Sequence, residues 1–160
     1  MRREGIAVGL ERAMERGPSR PQGARGAAAS PVVGVRLFSS SEGFSVLVGR
    51  TGRDNARLTF KIARPEDFWL HAQGVPGAHV VVRNPERRSQ LPAATLREAA
   101  ALAAWYSEAK GQPQADVQVA RRKDVRAVRG APPGTVTLKR SSTVRVRPGL
   151  PSGVSEHAIP

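Results

Sequence analysis

The chain has 160 residues, 26 of them Lys or Arg against 13 Asp or Glu, for a formal net charge of +13. That length fits one domain with a tail, and a composition 39% hydrophobic and 24% charged argues against wholesale disorder. The absence of cysteine excludes disulfide frameworks, Cys-zinc sites and thiol nucleophiles, and no apolar run approaches the roughly 18 residues of a membrane span.

A fold does not need such a charge imbalance, which mildly destabilises the compact state. Arg outnumbers Lys 22 to 4, and codon bias accounts for that ratio. It does not account for basic residues outnumbering acidic ones two to one, so a polyanionic partner is expected.

Residues 1–30 read as a flexible basic leader. Glu4 to Arg16 has helical spacing, and the Pro, Gly, Ala and Ser content from Gly17 to Pro31 reads as linker. The short apolar run Gly5 to Leu10 ends at Glu11 and makes a poor signal peptide; a cytoplasmic location is expected.

From Pro31 to Pro148 the pattern is that of a folded domain. Phe44, Val46 and Val48 alternate with Ser45, Leu47 and Gly49, and Leu58, Phe60 and Ile62 alternate with Arg57, Thr59 and Lys61. With turn chemistry at 51–55 between them, these read as a hairpin with a basic outer face. Residues 79–83, HVVVR, read as a central strand. Thr95 and Glu98 suggest a capping box for an Ala-rich helix over about 96–110, stopped at Gly111. Strands follow around Val117–Val119 and Val125–Val128. A second hairpin is expected from Val136–Lys139 and Thr143–Arg147 across Arg140-Ser141-Ser142, with Val144 and Val146 facing in. Residues 149–160 read as tail. The expected class is α+β: short antiparallel or mixed strands and hairpins packed on one main helix.

Asp67, His71 and His79 form the densest polar cluster, and a carboxylate with two imidazoles suits a metal or acid–base chemistry. No HExxH or zinc spacing accompanies them, and neither metal nor cofactor is expected. Asp67, Trp69 and His71 are two apart, so a strand would place them on one face, with Gly77 turning the chain to deliver His79. A structural network, or a surface for an RNA base, fits this pattern better than catalysis. Gly49-Arg50-Thr51-Gly52 lacks the Gly-Lys-Ser/Thr of a Walker loop. Arg50, Arg53, Arg57 and Lys61 on the first hairpin, with Arg121, Arg122, Lys123 and Arg126 after the helix, are the candidate phosphate contacts. Such contacts grip without reading sequence.

The run SSSEGFSVLVGRTGRDNARLTFKIARPEDFWLHAQGVPGAHVVV (39–82), with LREAAALAAWYS (96–107) and PPGTV (132–136), resembles the NFACT-R domain. This is the RNA-binding domain of the NFACT family, which includes RqcH in bacteria and NEMF in animals and was formerly labelled fibronectin-binding protein A. Ala78 replaces the usual Ser of PGSHV, and Ala120 stands where a strand Tyr is common. The resemblance implies a non-catalytic RNA-binding module of ribosome-associated quality control. Its implied partners are tRNA and large-subunit rRNA on obstructed large ribosomal subunits, with no membrane contact. It implies a signature surface at Asp67, Trp69, His71, Gly77 and His79. It also implies that the N-terminal and coiled-coil domains of full-length members lie elsewhere, the chain being an excised piece, a stand-alone member or half of a split protein. The competing class is a hydrolase or nuclease built on Asp67, His71 and His79, which requires the three side chains together in an open pocket. An adhesin, suggested only by the old label, lacks a signal peptide.

Overall fold

The computed structural model describes residues 34–157; the expected leader, residues 1–30, lies outside them. Seven strands form one antiparallel sheet in the order β8-β5-β3-β4-β2-β1-β9. They are β1 (Val35–Ser39), β2 (Ser45–Gly49), β3 (Phe68–Ala72), β4 (Val80–Val82), β5 (Ala115–Arg121), β8 (Ser142–Val146) and β9 (Ser155–His157). The short strands β6 (Val125–Ala127) and β7 (Val136–Leu138) pair as a separate ribbon. The α+β class expected from the sequence is what the chain forms.

The sheet is covered on both faces, which explains why its central strands carry apolar residues without a break. The run Val80-Val81-Val82 lies at the sheet's centre, fully buried. Val80 and Val82 point with Val46, Val48, Phe68 and Leu70 towards helix α2 (Ala93–Trp105). Val81 points the other way, with Leu47, Trp69 and Ala120. The alanines Ala99, Ala100 and Ala103 let α2 lie close against the first face.

Helix α2 starts earlier and stops sooner than its sequence suggested, and the Thr95–Glu98 box does not close. The Thr95 N–H and hydroxyl both donate to Glu42 Oε1, at 2.8 and 2.6 Å. Glu98 accepts instead from the Ser41 N–H and hydroxyl. The helix start is thus capped from the β1–β2 turn, with a carboxylate at the positive end of the helix. The helix ends at Trp105, and the Lys110 ammonium lies 4.0 Å over that ring.

The second face overturns the expected first hairpin. Residues 52–62 are helical: α1 (Gly52–Arg57) runs into a π-helical turn at Leu58–Ile62, closed by Ala63 N–H donating to Leu58 O. Thr51 is the cap. Its hydroxyl accepts from the Asp54 N–H at 3.1 Å and donates to Asp54 Oδ2 at 2.9 Å. The buried positions Asn55, Leu58 and Thr59 recur at helical spacing. Two of the three are polar, which disguised the stripe. The β6–β7 ribbon lies beside this segment: Phe60, Ile62, Val125, Val136 and Leu138 share one apolar cluster. The expected second hairpin is likewise corrected. Its arms β7 and β8 exist but do not pair, because β7 joins β6 and β8 joins the edge of the main sheet against β5. Val144 and Val146 do face the core. Within the stretch read as tail, β9 pairs with β1 at the opposite edge.

A chain of hydrogen bonds ties the helical segment to the sheet. Trp69 Nε1–H donates to Thr59 Oγ1 at 3.2 Å, and Thr59 Oγ1 lies 2.7 Å from His79 Nδ1. His79 Nε2 lies 3.0 Å from the Gly134 carbonyl, in the β6–β7 loop. A carbonyl can only accept, so the proton sits on Nε2, and Nδ1 accepts from the Thr59 hydroxyl. This direction requires a neutral imidazole. His79 is 2% exposed. Burial, and then the neighbouring His71, push it down to about 4, against raising contacts from Gly134 and Asn55. Asn55 completes the anchor: its Oδ1 accepts the His79 N–H at 3.0 Å and its Nδ2 donates to Gly77 O at 3.3 Å. The carboxamide stands in for a strand's peptide group. It fits only because residue 49 is glycine, where a Cβ would sit 2.1 Å from Asn55 Oδ1.

Thr59→Val keeps the shape but leaves Trp69 Nε1–H without its acceptor and His79 Nδ1 without its donor. We expect a loss of about 2 kcal/mol, read as a lowered urea midpoint with an unchanged m-value. Acid acts on the same chain. The unfolded chain takes up a proton on His79 below its ordinary value of 6.5, while the folded chain resists until about 4. Stability should therefore fall as pH drops through that window, by up to about 3 kcal/mol from this group. Urea titrations at pH 7.0, 5.5 and 4.5 check it, and a flat profile would contradict the neutral, buried assignment.

Candidate nucleic-acid interface

The signature residues expected on a surface lie mainly inside. Trp69 is 1% exposed, and its ring is stacked on His71 at 5.8 Å and set edge-on to His79 at 5.1 Å. His71 is half-buried, and burial lowers its pKa against raising backbone contacts from Gly77 and Ala72. Gly77 bridges to Ser107, and a Cβ there would meet Ser107 Cβ at 2.5 Å.

Asp67 does not join the histidines. It is buried at the start of β3, where Oδ1 accepts from the Asn84 N–H at 2.8 Å. Its Oδ2 accepts from the Arg64 N–H at 2.9 Å and pairs with Arg83 at 3.1 Å. Arg83 also donates to Ile62 O, so Asp67 and Arg83 pin the end of the π-helical turn. The open constellation of Asp67, His71 and His79 is therefore not assembled. Among the described residues no cluster of three or more His, Cys, Asp or Glu is placed to hold a metal ion.

The candidate phosphate contacts divide by location. Arg53, Arg57 and Lys61 are exposed and spaced by four along the α1 and π-helical segment. They form one stripe on the outer side of the layer covering the second face. Exposure survives the change from strand to helix because an interval of four repeats in both. Lys123 and Arg126 are exposed on the segment that packs against Pro65, Phe60 and Ile62, and Arg64 and Arg129 are exposed as well. Arg50 is also exposed, near Tyr106 and off the stripe.

Arg121 has another occupation. Its guanidinium donates to the Glu66 carbonyl and carboxylate and to the carbonyls of Arg88 and Ser89, and it lies 4.3 Å over the Phe68 ring. It clamps the 84–89 loop to the sheet, a role that a basic run in sequence does not reveal. Lys123 pairs with Glu66 at 2.8 Å, and this hydrogen bond above all holds the Glu66 carboxyl below the usual carboxylate range, with Arg121 and Arg87 adding to it. Arg122 is half-buried, lying 4.8 Å over Phe60, and burial lowers its pKa. Among the described residues its Nε has no hydrogen-bond partner and no carboxylate pairs with it. A partly desolvated guanidinium without a counterion is a favourable place for an external anion.

The family model for the NFACT protein RNA binding domain matches residues 34–140. The Rqc2 homolog RqcH of Bacillus subtilis is 39% identical over 114 residues, 71% of this chain and 19% of that protein. The ribosome quality control complex subunit NEMF homolog of Drosophila melanogaster is 35% identical over 72 residues, 45% of this chain and 7% of that protein. Among solved structures, the C-terminal part of the fibronectin/fibrinogen-binding protein of Streptococcus suis is similar, with a TM-score of 0.68 and 30% identity over 74% of this chain and 47% of that one. The chain spans about a fifth of the length of the RqcH relatives it matches. By sequence match and by fold, the chain belongs to the NFACT RNA-binding domain family.

Proposed function

We propose that this domain is an RNA-holding module of ribosome quality control, gripping tRNA or large-subunit rRNA by its phosphate backbone on obstructed large ribosomal subunits. The observation that carries the reading is the exposed stripe Arg53, Arg57 and Lys61, together with exposed Lys123 and Arg126 and with Arg122, which no carboxylate pairs with among the described residues. The printed names of the RqcH and NEMF relatives support the quality-control setting. The module acts without catalysis of its own and in the cytoplasm, alongside the N-terminal and coiled-coil parts of its family. The hydrolase reading finds no support in the geometry, since Asp67 serves Asn84, Arg64 and Arg83.

About five phosphate contacts would give a salt slope on the order of −4 in log affinity against log salt. The triple variant Arg53→Gln/Arg57→Gln/Lys61→Gln should flatten that slope by about 2 to 3 and weaken tRNA binding at least tenfold near 0.1 M salt. Arg97→Gln, exposed on α2 across the sheet, should change it by less than about twofold. Filter binding over a salt series reads both. Pelleting the chain with empty large subunits, and with subunits carrying peptidyl-tRNA, tests the setting. Retention on the obstructed subunits at physiological salt is the expected result, and binding to neither RNA nor subunits would overturn the proposal.

A further inference from the structure

The aromatic residues of this chain show an arrangement that bears on which kind of RNA it holds. There are seven: four Phe, two Trp and one Tyr. Phe38 and Trp69 are buried in the two cores. Each of the other five has a cation over its ring. Arg36 lies 4.9 Å from the Tyr106 centroid and Arg88 5.4 Å from Phe44. Lys110 lies 4.0 Å from Trp105, Arg121 4.3 Å from Phe68 and Arg122 4.8 Å from Phe60. The large apolar side chains that are exposed among the described residues are Val128 and Leu150, neither of them aromatic.

Proteins that hold single-stranded nucleic acid combine a basic track with open aromatic faces on which unstacked bases lie. Here the basic track is present, and each partly exposed ring already carries a cation over one face. Uncovering one would break a cation–π contact, and at Phe68 also the four hydrogen bonds of Arg121. The cations of the stripe are fixed on rigid elements: Arg53 and Arg57 on α1, Lys61 on the π-helical turn, Arg126 on β6. A rigid row of cations suits a ligand whose phosphates already have fixed spacing and whose bases are already stacked on one another.

We infer that the basic layer holds base-paired, A-form RNA by its two backbones and gives unpaired bases no platform. This deepens the RNA-binding reading above and rests on it. Specificity of this kind is by shape and 2′-hydroxyl, and it is indifferent to sequence.

The test uses the whole chain with three probes of equal nucleotide number: an RNA duplex of roughly 20 base pairs, a scrambled duplex, and oligo(U), which does not pair. Near 0.1 M salt both duplexes should bind alike and at least about tenfold tighter than oligo(U). The emission of the two tryptophans should be unquenched at saturating oligo(U), since Trp69 is buried and Trp105 already carries Lys110 over its ring. Equal or tighter binding of oligo(U), or its quenching of tryptophan emission, would overturn this inference while leaving RNA binding in place. Binding of none of the three probes would overturn the RNA-binding reading itself, and this inference with it.

Discussion

A sheet buried on both faces leaves no water to satisfy a polar group inside, and this constraint governs the second face of the molecule. His79 sits there neutral. Its two ring nitrogens are answered from different elements, Thr59 on the helical segment and Gly134 in the β6–β7 loop. Its backbone N–H is answered by a third, Asn55. Each partner must be in place for the others to be satisfied, because an unmet buried donor or acceptor costs about as much as a well-made hydrogen bond contributes. The helical segment and the ribbon thereby acquire a fixed position on the sheet. That position sets where Arg53, Arg57, Lys61 and Arg126 stand.

The two faces are built on different terms. Between α2 and the sheet the contact is apolar, made close by alanines, with the polar work confined to the helix start at Glu42 and Ser41. On the other face an apolar cluster surrounds a polar chain with a single self-consistent direction of donation. The histidines and Trp69 serve that second layer. Their close company reflects the packing of a core, and the exposed basic groups lie outward of it.

Much of this was legible in the sequence where burial dictates composition. Residues 80–82 announce a central strand because three consecutive β-branched apolar residues fit only a strand covered on both sides. The motif order of residues 39–82 identified the family. The segment 52–62 misled because its inward stripe contains Asn55 and Thr59, polar residues whose partners, Trp69, Gly77 and His79, lie on other elements. Without them the remaining Leu58, Phe60 and Ile62 alternate as a strand would. The Thr51–Asp54 cap was the available signal for a helix. Conversely, Thr95 and Glu98 had the spacing of a cap and were claimed by Glu42 and Ser41, remote residues that no local pattern can name. The division of the basic residues was illegible for the same reason: Arg121 and Arg122 are adjacent in sequence, yet one is enclosed by carbonyls and the other has no counterion among the described residues.

The last strand carries a mechanical consequence. After β8 the backbone crosses α2, where Gly149 N–H donates to Ala101 O and Gly153 passes against Ser41 and Glu98, and it ends as β9 beside β1. Strand β1 is the first of the sheet and β9 the last in sequence, and they run antiparallel, so both ends of the folded unit leave from one corner. Tension applied between those ends does not shear the sheet. It unzips β9 from β1 one hydrogen-bonded pair at a time and then lifts the crossing segment, so the load falls on β1 and on this last stretch before it reaches the central strands.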